Sequence, residues 1–482
     1  MWNPESYTIA VLLLPRLLGF IYFCAIGAFL FQMKGLLGEK GILPIPDYLN
    51  DFRLHASHKC FFYIPTLFWL DASDRTLMGV TSLGTLISVI LMLGYYPALC
   101  LALLFVIYLS IVSVGQDFLS FGWESFLLEI TFYTFWVSLT PVPNLMLWIN
   151  LNFLLFRFHI QAGAVKLQSR DIVWRNFTAL AFHYLTQPLP NTWAWYVYKW
   201  PIAIHKASTL FMFFVELIVP FGLLLTDEIR ACAGVALIGL QVIIWFTGNF
   251  SYLNHLTASF SIIAFNNSFL SWIHEPPPVS ATSELVNPLL SLVGIIFLIL
   301  QFIRFWHHFY PRKRLLAQWL FWLAPFHLVN RYGLFAIMTK ERYEIIVEGS
   351  EDGQMWKEYL CWYKPSEVTR RPRRISPYQP RLDWQMWFLP FEDFESATWF
   401  HQFLYHLLKG TPEVLQLIRY NPFPHKPPKY LRALMYDYQF STKEQKKDHG
   451  WWWQRHLIGS FSPVLALKAN NPEENHSFRE GG

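Results

Sequence analysis

Long apolar stretches separated by short polar loops dominate the first 309 residues of the chain. A membrane-spanning helix needs about 20 mostly apolar residues. A window of that length predicts segments near 10–33, 77–94, 96–115, 126–148, 149–166, 206–226, 230–250, 254–273 and 286–306. Pro141 and Pro143 divide one long run, and the third segment follows the second after almost no loop, so any count from seven to ten fits the pattern. The pattern therefore predicts a polytopic transmembrane helical domain, residues 1–309, with about nine spans.

The pattern changes after residue 310. Residues 343–347 alternate between polar and apolar, 350–353 are typical of a turn, and the aromatic run 359–363 is placed to pair back, so we expect a β-hairpin within a small sheet. Further along, apolar residues recur at helical spacing until Gly410 and Pro412 stop them, which predicts an amphipathic helix. Its apolar positions are Trp399, Phe400, Phe403, Leu404, Leu407 and Leu408.

The fold class that follows is mainly α, with a C-terminal domain of the mixed α+β class. We expect this C-terminal domain to be soluble and to cover residues 310–469, with a small β-sheet. The polar residues 470–482 are expected to form a flexible tail. Below, "membrane half" means residues 1–309 and "tail" means the chain from residue 310.

Composition narrows the class of protein further. The chain has 482 residues, of which 54% are hydrophobic and only 15% charged, which excludes an ordinary soluble enzyme and a disordered regulator. The net charge of +5 is small for this length, so no nucleic-acid partner is predicted. The lipid bilayer is the expected partner.

The sequence lacks the common catalytic and metal-binding motifs. It contains no GxSxG, no HExxH, no P-loop and no GxGxxG opening a helix, and neither His183 nor His255 has a second ligand at a suitable spacing. The five cysteines are widely spaced without a CxxC pair, so we expect buried small hydrophobic side chains rather than a disulfide framework. No metal and no cofactor is predicted.

Basic residues are unevenly distributed among the predicted loops. With nine spans, the loops after the first and fifth spans hold nearly every Lys and Arg of the membrane half, whereas the other side has essentially Arg230 alone. The tail begins with Arg312, Lys313 and Arg314 and is basic overall. The positive-inside rule therefore predicts a cytoplasmic tail.

A few charged residues lie inside the apolar segments, where each costs roughly 3 kcal/mol or more at mid-bilayer. They are Arg16, Glu129, Arg157, Lys166 and Glu216. Gly163 and Lys166 are near neighbours on one predicted helix, while Arg157 lies further round.

Two interpretations of Lys166 stay open. A lysine in an apolar setting can lose its proton and act as a base, with Glu129 or Glu216 nearby. Alternatively, Lys166 lies at the helix end, snorkels to the interface or pairs with Glu129, and does no chemistry.

Several blocks of sequence form a long and specific match to one family. In the tail they are 330–339 (NRYGLFAIMT), 344–350 (EIIVEGS), 380–388 (PRLDWQMWF), 421–423 (NPF) and 427–432 (PPKYLR). In the membrane half they are 41–44 (GILP), 116–124 (QDFLSFGWE), 163–166 (GAVK), 183–190 (HYLTQPLP) and 247–250 (TGNF). In these blocks the chain resembles the lipase maturation factor family, from about residue 10 to 468.

The resemblance implies a membrane-embedded chaperone or maturation factor that assists the folding and assembly of secreted proteins. In animals the family is known from the endoplasmic reticulum, where secreted dimeric lipases need it to fold. The expected clients are secreted proteins such as lipases, and the expected location is the endoplasmic reticulum membrane in a eukaryote or the inner membrane in a bacterium. The resemblance also implies a tail facing the lumen or periplasm, which contradicts the charge distribution and leaves the orientation open.

The family blocks also supply candidate client-binding or structural residues. They are Arg331, Gly333, Glu348, Arg381, Asp383, Trp384, Trp387 and Asn421. We expect Arg381, Asp383, Trp384 and Trp387 to form either a client-facing cluster or internal packing of the tail, and Asn421 to fix a turn. No catalytic residue is predicted firmly, and we expect a protein that is not an enzyme.

One block supports an alternative. Residues 157–166 resemble the corresponding helix of the vitamin K-dependent gamma-carboxylase superfamily, in which a lysine at the position matching Lys166 is implicated as a base. Val165 stands where that enzyme has another lysine, and the quinone-binding remainder has no match. Carboxylase-like chemistry at Lys166 stays an alternative, and a transporter ranks third because the sequence shows no inverted repeat.

Overall fold

The computed structural model describes residues 3–56, 59–276, 286–311, 314–467 and 478–480. The helices of the membrane half are α1 (Thr8–Leu30), α2 (Met33–Leu37), α3 (Ile45–Ala56), α4 (Cys60–Tyr63), α5 (Asp74–Met92), α6 (Pro97–Ser113), α7 (Gly122–Val137), α8 (Leu145–Gln168), α9 (Ile172–Arg175), α10 (Ala179–Thr186), α11 (Thr192–Tyr198), α12 (Ile202–Leu217), α13 (Asp227–Thr247), α14 (Leu253–Phe260), α15 (Asn267–Leu270) and α16 (Val286–Phe309). The helices of the tail are α17 (Arg314–Leu323), α18 (Arg381–Gln385), α19 (Thr398–Lys409), α20 (Pro412–Leu415) and α21 (Lys443–His449). The strands are β1 (Tyr343–Ser350), β2 (Lys357–Glu358), β3 (Tyr430–Phe440), β4 (Trp453–Ser460), β5 (Leu465–Leu467) and β6 (Phe478–Glu480).

Each predicted apolar segment contains helix. Five helical segments of the described residues are long and apolar enough to cross a bilayer by length and composition: Pro4–Leu30, Asp74–Met92, Ile202–Leu224, Asp227–Thr247 and Val286–Phe309. The apolar helix α6 is shorter, and α8 has 24 residues but carries buried polar side chains such as Asn150 and Asn152. The mainly helical, membrane-integral fold class is thereby confirmed.

The predicted segment 254–273 differs from a continuous span. It is broken into α14, a 3-10 turn at Ser261–Ala264 and α15. The hydroxyls of Thr257 and Ser261 donate to carbonyls one turn back, at 2.9 and 2.8 Å, and such back-bonding bends helices. Asn266 then caps the new helix start by accepting from Phe269 N at 3.3 Å.

Polar contacts lie at both ends of the helix bundle. On one face, the α7–α8 connection meets the start of α16, where Asn144 Nδ2 donates to Asn287 Oδ1 at 2.5 Å. On the other face, the end of α1 meets the tail, where Gln32 Nε2 donates to Gln379 O at 2.8 Å. We call these the opposite face and the tail-side face.

Glycine allows α1 and α5 to pack closely. A Cβ on Gly19 of α1 would lie 2.7 Å from Met92 N of α5, which is closer than real Cβ contacts. Gly19 therefore lets α1 and α5 approach along their length.

The tail contains one antiparallel sheet with strand order β2-β1-β3-β5-β6, and β4 also pairs with β3. The predicted hairpin forms only over the two residue pairs that join β1 to β2. The aromatic run 359–363 contacts β1 at its first residue alone, where Tyr359 N donates to Val347 O at 2.9 Å. The long partner of β1 is β3, from Tyr343↔Asp437 to Ser350↔Tyr430. This pairing joins segments about 80 residues apart in sequence, beyond the reach of local pattern rules.

The predicted amphipathic helix is α19. All six apolar positions expected to face the core are buried. Gly410 ends the helix in the left-handed region at φ 67°, which glycine adopts without strain. Of the predicted flexible tail 470–482, residues 478–480 form β6, paired with β5, and the others lie outside the described residues.

Candidate functional site

Buried polar contacts hold the tail onto the tail-side face of the bundle. Glu129 of α7 and Arg157 of α8 are fully buried and form an ion pair. Asn330 donates to Glu129 Oε2 from N at 2.9 Å and from Nδ2 at 2.8 Å, and Tyr332 OH donates to the same oxygen at 2.5 Å. Arg157 in turn donates to Asn330 O at 2.5 Å. These two membrane-embedded charges therefore bind each other and the start of the tail.

A second buried ion pair joins Glu124, at the start of α7, to Arg381, at the start of α18. Arg381 Nη1 lies 2.9 Å from Glu124 Oε1, and the two side chains are 1% and 0% exposed. Tyr108 and Tyr252 donate their hydroxyls to the other carboxylate oxygen. Arg381 also donates to Phe118 O at 2.8 Å. These hydrogen bonds offset part of the cost of burying the charge pair, while Arg381 Nε and Nη2 are buried without a hydrogen-bond partner among the described residues.

Gln379 extends the contact around Arg381. Its Oε1 accepts from Trp123 Nε1 at 3.0 Å and from Ser251 Oγ at 2.9 Å. Gln32 accepts from Arg381 N at 2.8 Å. Three separate parts of the membrane half therefore converge on residues 379–381. Below, "joint" means Glu124, Glu129 and Arg157 together with their tail partners Asn330, Tyr332, Gln379 and Arg381.

Arg342 makes a further buried contact beside the joint. It donates to three carbonyls of the stretch 185–188, at 2.5 to 2.9 Å, and forms an ion pair with Glu344 at 2.6 Å. Lys364 Nζ lies 3.0 Å from the other oxygen of Glu344. The sheet, through β1, is thereby fastened to the loop that follows α10.

Asp383 lies inside the tail rather than on its surface. Its Oδ1 accepts from Tyr363 N at 2.5 Å and from Lys364 N at 2.8 Å. Burial raises the pKa of the Asp383 carboxyl above its ordinary value, and these two N–H groups only partly offset that effect. Burial, with the nearby Asp383 charge second, also raises the pKa of the Cys361 thiol to about 12.

Lys166 is buried at the tail-side end of α8, with 5% of its surface exposed. Its Nζ donates to Glu216 Oε2 at 2.7 Å, to Glu216 Oε1 at 2.9 Å and to Ala162 O at 3.0 Å. The ring centroid of Trp174 lies 5.6 Å from Nζ. An ammonium group has three N–H donors, so these contacts occupy all of them.

Pairing of Lys166 with Glu129, one of the alternatives left open for this lysine, does not occur in the structure. Arg157 takes Glu129, and Glu216 on α12 is the partner of Lys166. Gly163 lets α12 come close, since a Cβ there would lie 2.6 Å from the Leu217 side chain. The embedded charges thus form two separate pairs, and each pair joins two helices.

Trp384 and Trp387 differ in their surroundings. Trp384 is 3% exposed and packs edge-on against Trp123, with ring centroids 5.2 Å apart. Trp387 is only half-buried, and its Nε1 donates to Thr186 O at 3.0 Å. Its ring lies 5.1 Å from that of Phe391, which is 50% exposed. Of the four predicted residues Arg381, Asp383, Trp384 and Trp387, only Trp387 reaches the surface.

The remaining predicted residues have individual roles. Glu348 forms an ion pair with Arg432 at 2.7 Å across β1 and β3. Asn421 Oδ1 accepts from Phe423 N at 2.9 Å, the geometry of a local turn. Gly333 lies against α8, because a Cβ there would be 2.9 Å from the Val165 side chain.

Two predicted cations lie apart from these contacts. Arg331 is exposed and makes no ion pair with any described residue. Arg16 lies near the opposite face and donates to Leu12 O of its own helix at 2.7 Å. Across the described parts of the chain, no group of three or more His, Cys, Asp or Glu side chains is arranged to hold a metal ion.

Sequence reasoning missed several members of these contacts. They are Glu124, Asn330, Tyr332, Gln379, Arg342, Glu344 and Lys364. Glu124 begins an apolar helix, where a carboxylate is also explained by the helix dipole, so its position gave no separate signal. The others lie in the tail, where a buried polar side chain does not differ in sequence pattern from an exposed one.

The two halves of the chain match two models of one family. They are described as "Lipase maturation factor transmembrane domain", matching residues 9–272, and "Lipase maturation factor C-terminal domain", matching residues 328–463. The chain therefore belongs to the lipase maturation factor family, as the resemblance predicted.

Curated proteins of that family are similar over nearly the whole chain. Lipase maturation factor 1 of Homo sapiens is 33% identical over 100% of this chain and 91% of its own length. Lipase maturation factor 1 of Mus musculus is 34% identical over 97% of this chain and 88% of its own length. Lipase maturation factor 2 of Xenopus laevis is 28% identical over 93% and 81%. No solved structure matches the chain.

Proposed function

We propose that this chain is a membrane-embedded maturation factor that assists the folding and assembly of secreted proteins, with lipases among its clients. The observation that carries the proposal is the joint, in which both family-matching halves are fastened by buried ion pairs such as Glu124–Arg381. Such a joint holds the tail in one orientation at the bilayer surface. A secreted chain that has just crossed the membrane would meet the tail there.

The action proposed is non-covalent. A folding factor must hold exposed apolar segments of a client and release them once folding buries those segments, so its own affinity must be modest. A small, partly exposed aromatic surface suits this task. Trp387 and Phe391 provide one at the edge of the tail, whereas Trp384, Arg381 and Asp383 would support it from within.

The proposal includes a location and an organisation. The protein would lie in the endoplasmic reticulum membrane of a eukaryote or the inner membrane of a bacterium, with the tail in the lumen or periplasm. Residues 1–309 would act as the membrane anchor and 310–469 as the client-handling domain. The bilayer and the client are the proposed partners, without a cofactor or nucleic acid.

The proposal is tested by the activity per mass of a secreted dimeric lipase. Cells that lack their own family members would express the lipase with or without this chain. The proposal predicts that the chain raises specific activity while the secreted mass changes less. An unchanged specific activity would show that lipases are not the clients.

The client-handling surface is tested separately by crosslinking a partially folded lipase to the full chain. Trp387→Ala combined with Phe391→Ala should lower crosslinking. Tyr420→Ala is the matched control, since Tyr420 is an exposed aromatic residue elsewhere on the tail. If wild type, the double variant and Tyr420→Ala all crosslink the lipase equally, Trp387 and Phe391 are not part of the client-handling surface.

A further inference from the structure

The tail-side end of α16 carries a group of cationic and imidazole side chains. Arg304, His307 and His308 lie at spacings of three and four residues, on one face of the helix. This end of α16 runs beside α8. Gln301 Nε2 donates to Asn150 Oδ1 at 2.9 Å, and one turn further the ring of Phe305 lies 5.9 Å from that of Phe156. The helix register therefore brings Arg304 and His308 to the level of Arg157, which immediately follows Phe156.

The positive charges at this level are not balanced within the described chain. Arg157 is paired with Glu129, but Arg304 and Arg331 make no ion pair with any described carboxylate. Arg331 directly follows Asn330, whose backbone oxygen accepts from Arg157 Nη1 at 2.5 Å, so Arg331 lies beside the level of Arg157 that Arg304 and His308 also reach. Cations at the bilayer surface attract anionic lipid headgroups, and an anion from outside the chain would balance these charges.

Buried donors point to the same conclusion. Arg304 Nε and both ring nitrogens of His308 are buried without a hydrogen-bond partner among the described residues. His308 as a whole is 5% exposed. Buried polar groups are almost always hydrogen-bonded, so a ligand with several acceptor oxygens would fit here.

The aromatic side chains beside this group fix its depth. Trp306 and Tyr310 are exposed on the same helix end and stack with ring centroids 4.7 Å apart. Exposed Trp and Tyr at a span end lie at the level of the lipid headgroups. The anions at that level are the phosphates of phospholipids.

We propose that Arg304, Arg331 and His308 bind the phosphate of an anionic phospholipid at the tail-side end of the last span. Arg304 and Arg331 supply charge-assisted donors and His308 supplies a ring N–H. Arg331 adjoins Asn330, whose side chain and backbone hold Glu129. A bound headgroup would therefore stabilise the joint from its lipid-facing side. This site does not depend on the identity of the client.

The test is native mass spectrometry of the purified full chain, titrated with dioleoylphosphatidylglycerol, dioleoylphosphatidylcholine or inorganic phosphate. Wild type should bind phosphatidylglycerol in preference to phosphatidylcholine. Arg331→Gln should weaken that binding about tenfold or more, as expected for the loss of a charge-assisted hydrogen bond. Because Arg331 is exposed, this variant should fold. Arg304→Gln should act in the same direction, and its thermal midpoint shows whether it is folded.

Lys206→Gln is the matched control, because Lys206 is an exposed cation near the start of another helix, α12. It should bind phosphatidylglycerol as wild type does. Wild-type binding by Arg331→Gln, or an equal loss with Lys206→Gln, would overturn the site. Equal binding of phosphatidylcholine would overturn the preference for an anionic lipid. If inorganic phosphate displaced the lipid at a similar concentration, the site would bind free phosphate rather than a lipid headgroup, and the proposal would be overturned.

Discussion

Arg381 and Glu124 are 257 residues apart in the chain, yet they form an ion pair of 2.9 Å with almost no exposed surface. One belongs to the tail and the other begins a helix of the bundle. Because neither charge has access to water, each depends on the other and on the surrounding hydroxyl and carbonyl groups. The tail therefore has one stable position on the bundle rather than a range of positions.

Breaking this pair from one side should be strongly destabilising. Glu124→Gln leaves the Arg381 guanidinium buried without a counter-charge, at an expected cost of about 3–5 kcal/mol. Thermal unfolding of the detergent-solubilised full chain would measure the loss. Glu228→Gln, which neutralises an exposed carboxylate at the start of α13, should leave the midpoint unchanged. Equal midpoints for Glu124→Gln and wild type would mean that the pair contributes little.

Glu129 should be equally sensitive, for a related reason. Glu129→Gln keeps an oxygen that can accept from Asn330 and Tyr332 but leaves Arg157 unpaired inside the bundle. We expect a loss of about 3–5 kcal/mol. The milder Tyr332→Phe removes one hydrogen bond to a charged group, at about 1.5–3 kcal/mol. If Tyr332→Phe were less stable than Glu129→Gln, this interpretation of the contacts to Glu129 would be contradicted.

Replacing Lys166 and Glu216 tests whether Lys166 acts as a base or whether the ion pair has only a structural role. If the pair only joins α8 to α12, then Lys166→Met together with Glu216→Leu should fold normally, since apolar replacement of a buried ion pair is often neutral or stabilising by about 1–4 kcal/mol. Lys166→Met alone should be destabilised because Glu216 stays buried and unpaired. Support of lipase maturation by the double variant is the expected result. If the double variant folds but does not support lipase maturation, Lys166 is again a candidate base.

Cys361 reports whether the tail is intact. Burial raises its thiol pKa to about 12, well above the ordinary value of about 8.5, so the reactive thiolate is scarce in the folded state. At pH 8 fewer than about one thiol in a thousand should be ionised. In a variant that retains only this cysteine, iodoacetamide at pH 8 should react slowly until denaturant is added. Fast alkylation of the folded protein would show that the tail opens readily.

The orientation has a direct measurement. Tyr95 is exposed on the α5–α6 turn at the opposite face and Lys447 is exposed on α21 of the tail. In a background without native cysteines, an impermeant maleimide added to the cytosolic side of sealed vesicles should label Tyr95→Cys and spare Lys447→Cys. The reverse result would support the orientation given by the positive-inside rule and contradict the proposed lumenal tail.

Local patterns predicted the parts of this fold that are themselves local. Helix α19 shows this, because its apolar spacing and its terminating Gly410 lie within one short stretch. The helices within the predicted apolar segments likewise needed only composition and length, although the segment 254–273 is broken into α14 and α15. The pairing of β1 with β3 and of Lys166 with Glu216 depends on contacts across 50 residues or more, and a single sequence carries no signal for such contacts.

The charged residues inside the apolar segments were partly predictable from the sequence alone. Their cost in an apolar segment singled out Glu129, Arg157, Lys166 and Glu216 without any structure. Cost alone does not give partners, and the alternative in which Lys166 pairs with Glu129 does not occur because Arg157 forms an ion pair with that carboxylate. Glu124 escaped notice for the opposite reason, since a carboxylate at a helix start is common.

The most direct test of the central claim is the specific activity of a secreted lipase in cells expressing Glu124→Gln at the membrane level of wild type. Limited proteolysis of the same membranes would show whether the tail is displaced from the bundle, and Glu228→Gln would be the control. The expected result is a displaced tail and a several-fold lower lipase activity per mass, with the control equal to wild type. Full lipase activity with a displaced tail would contradict the claim that the joint positions the tail for its function.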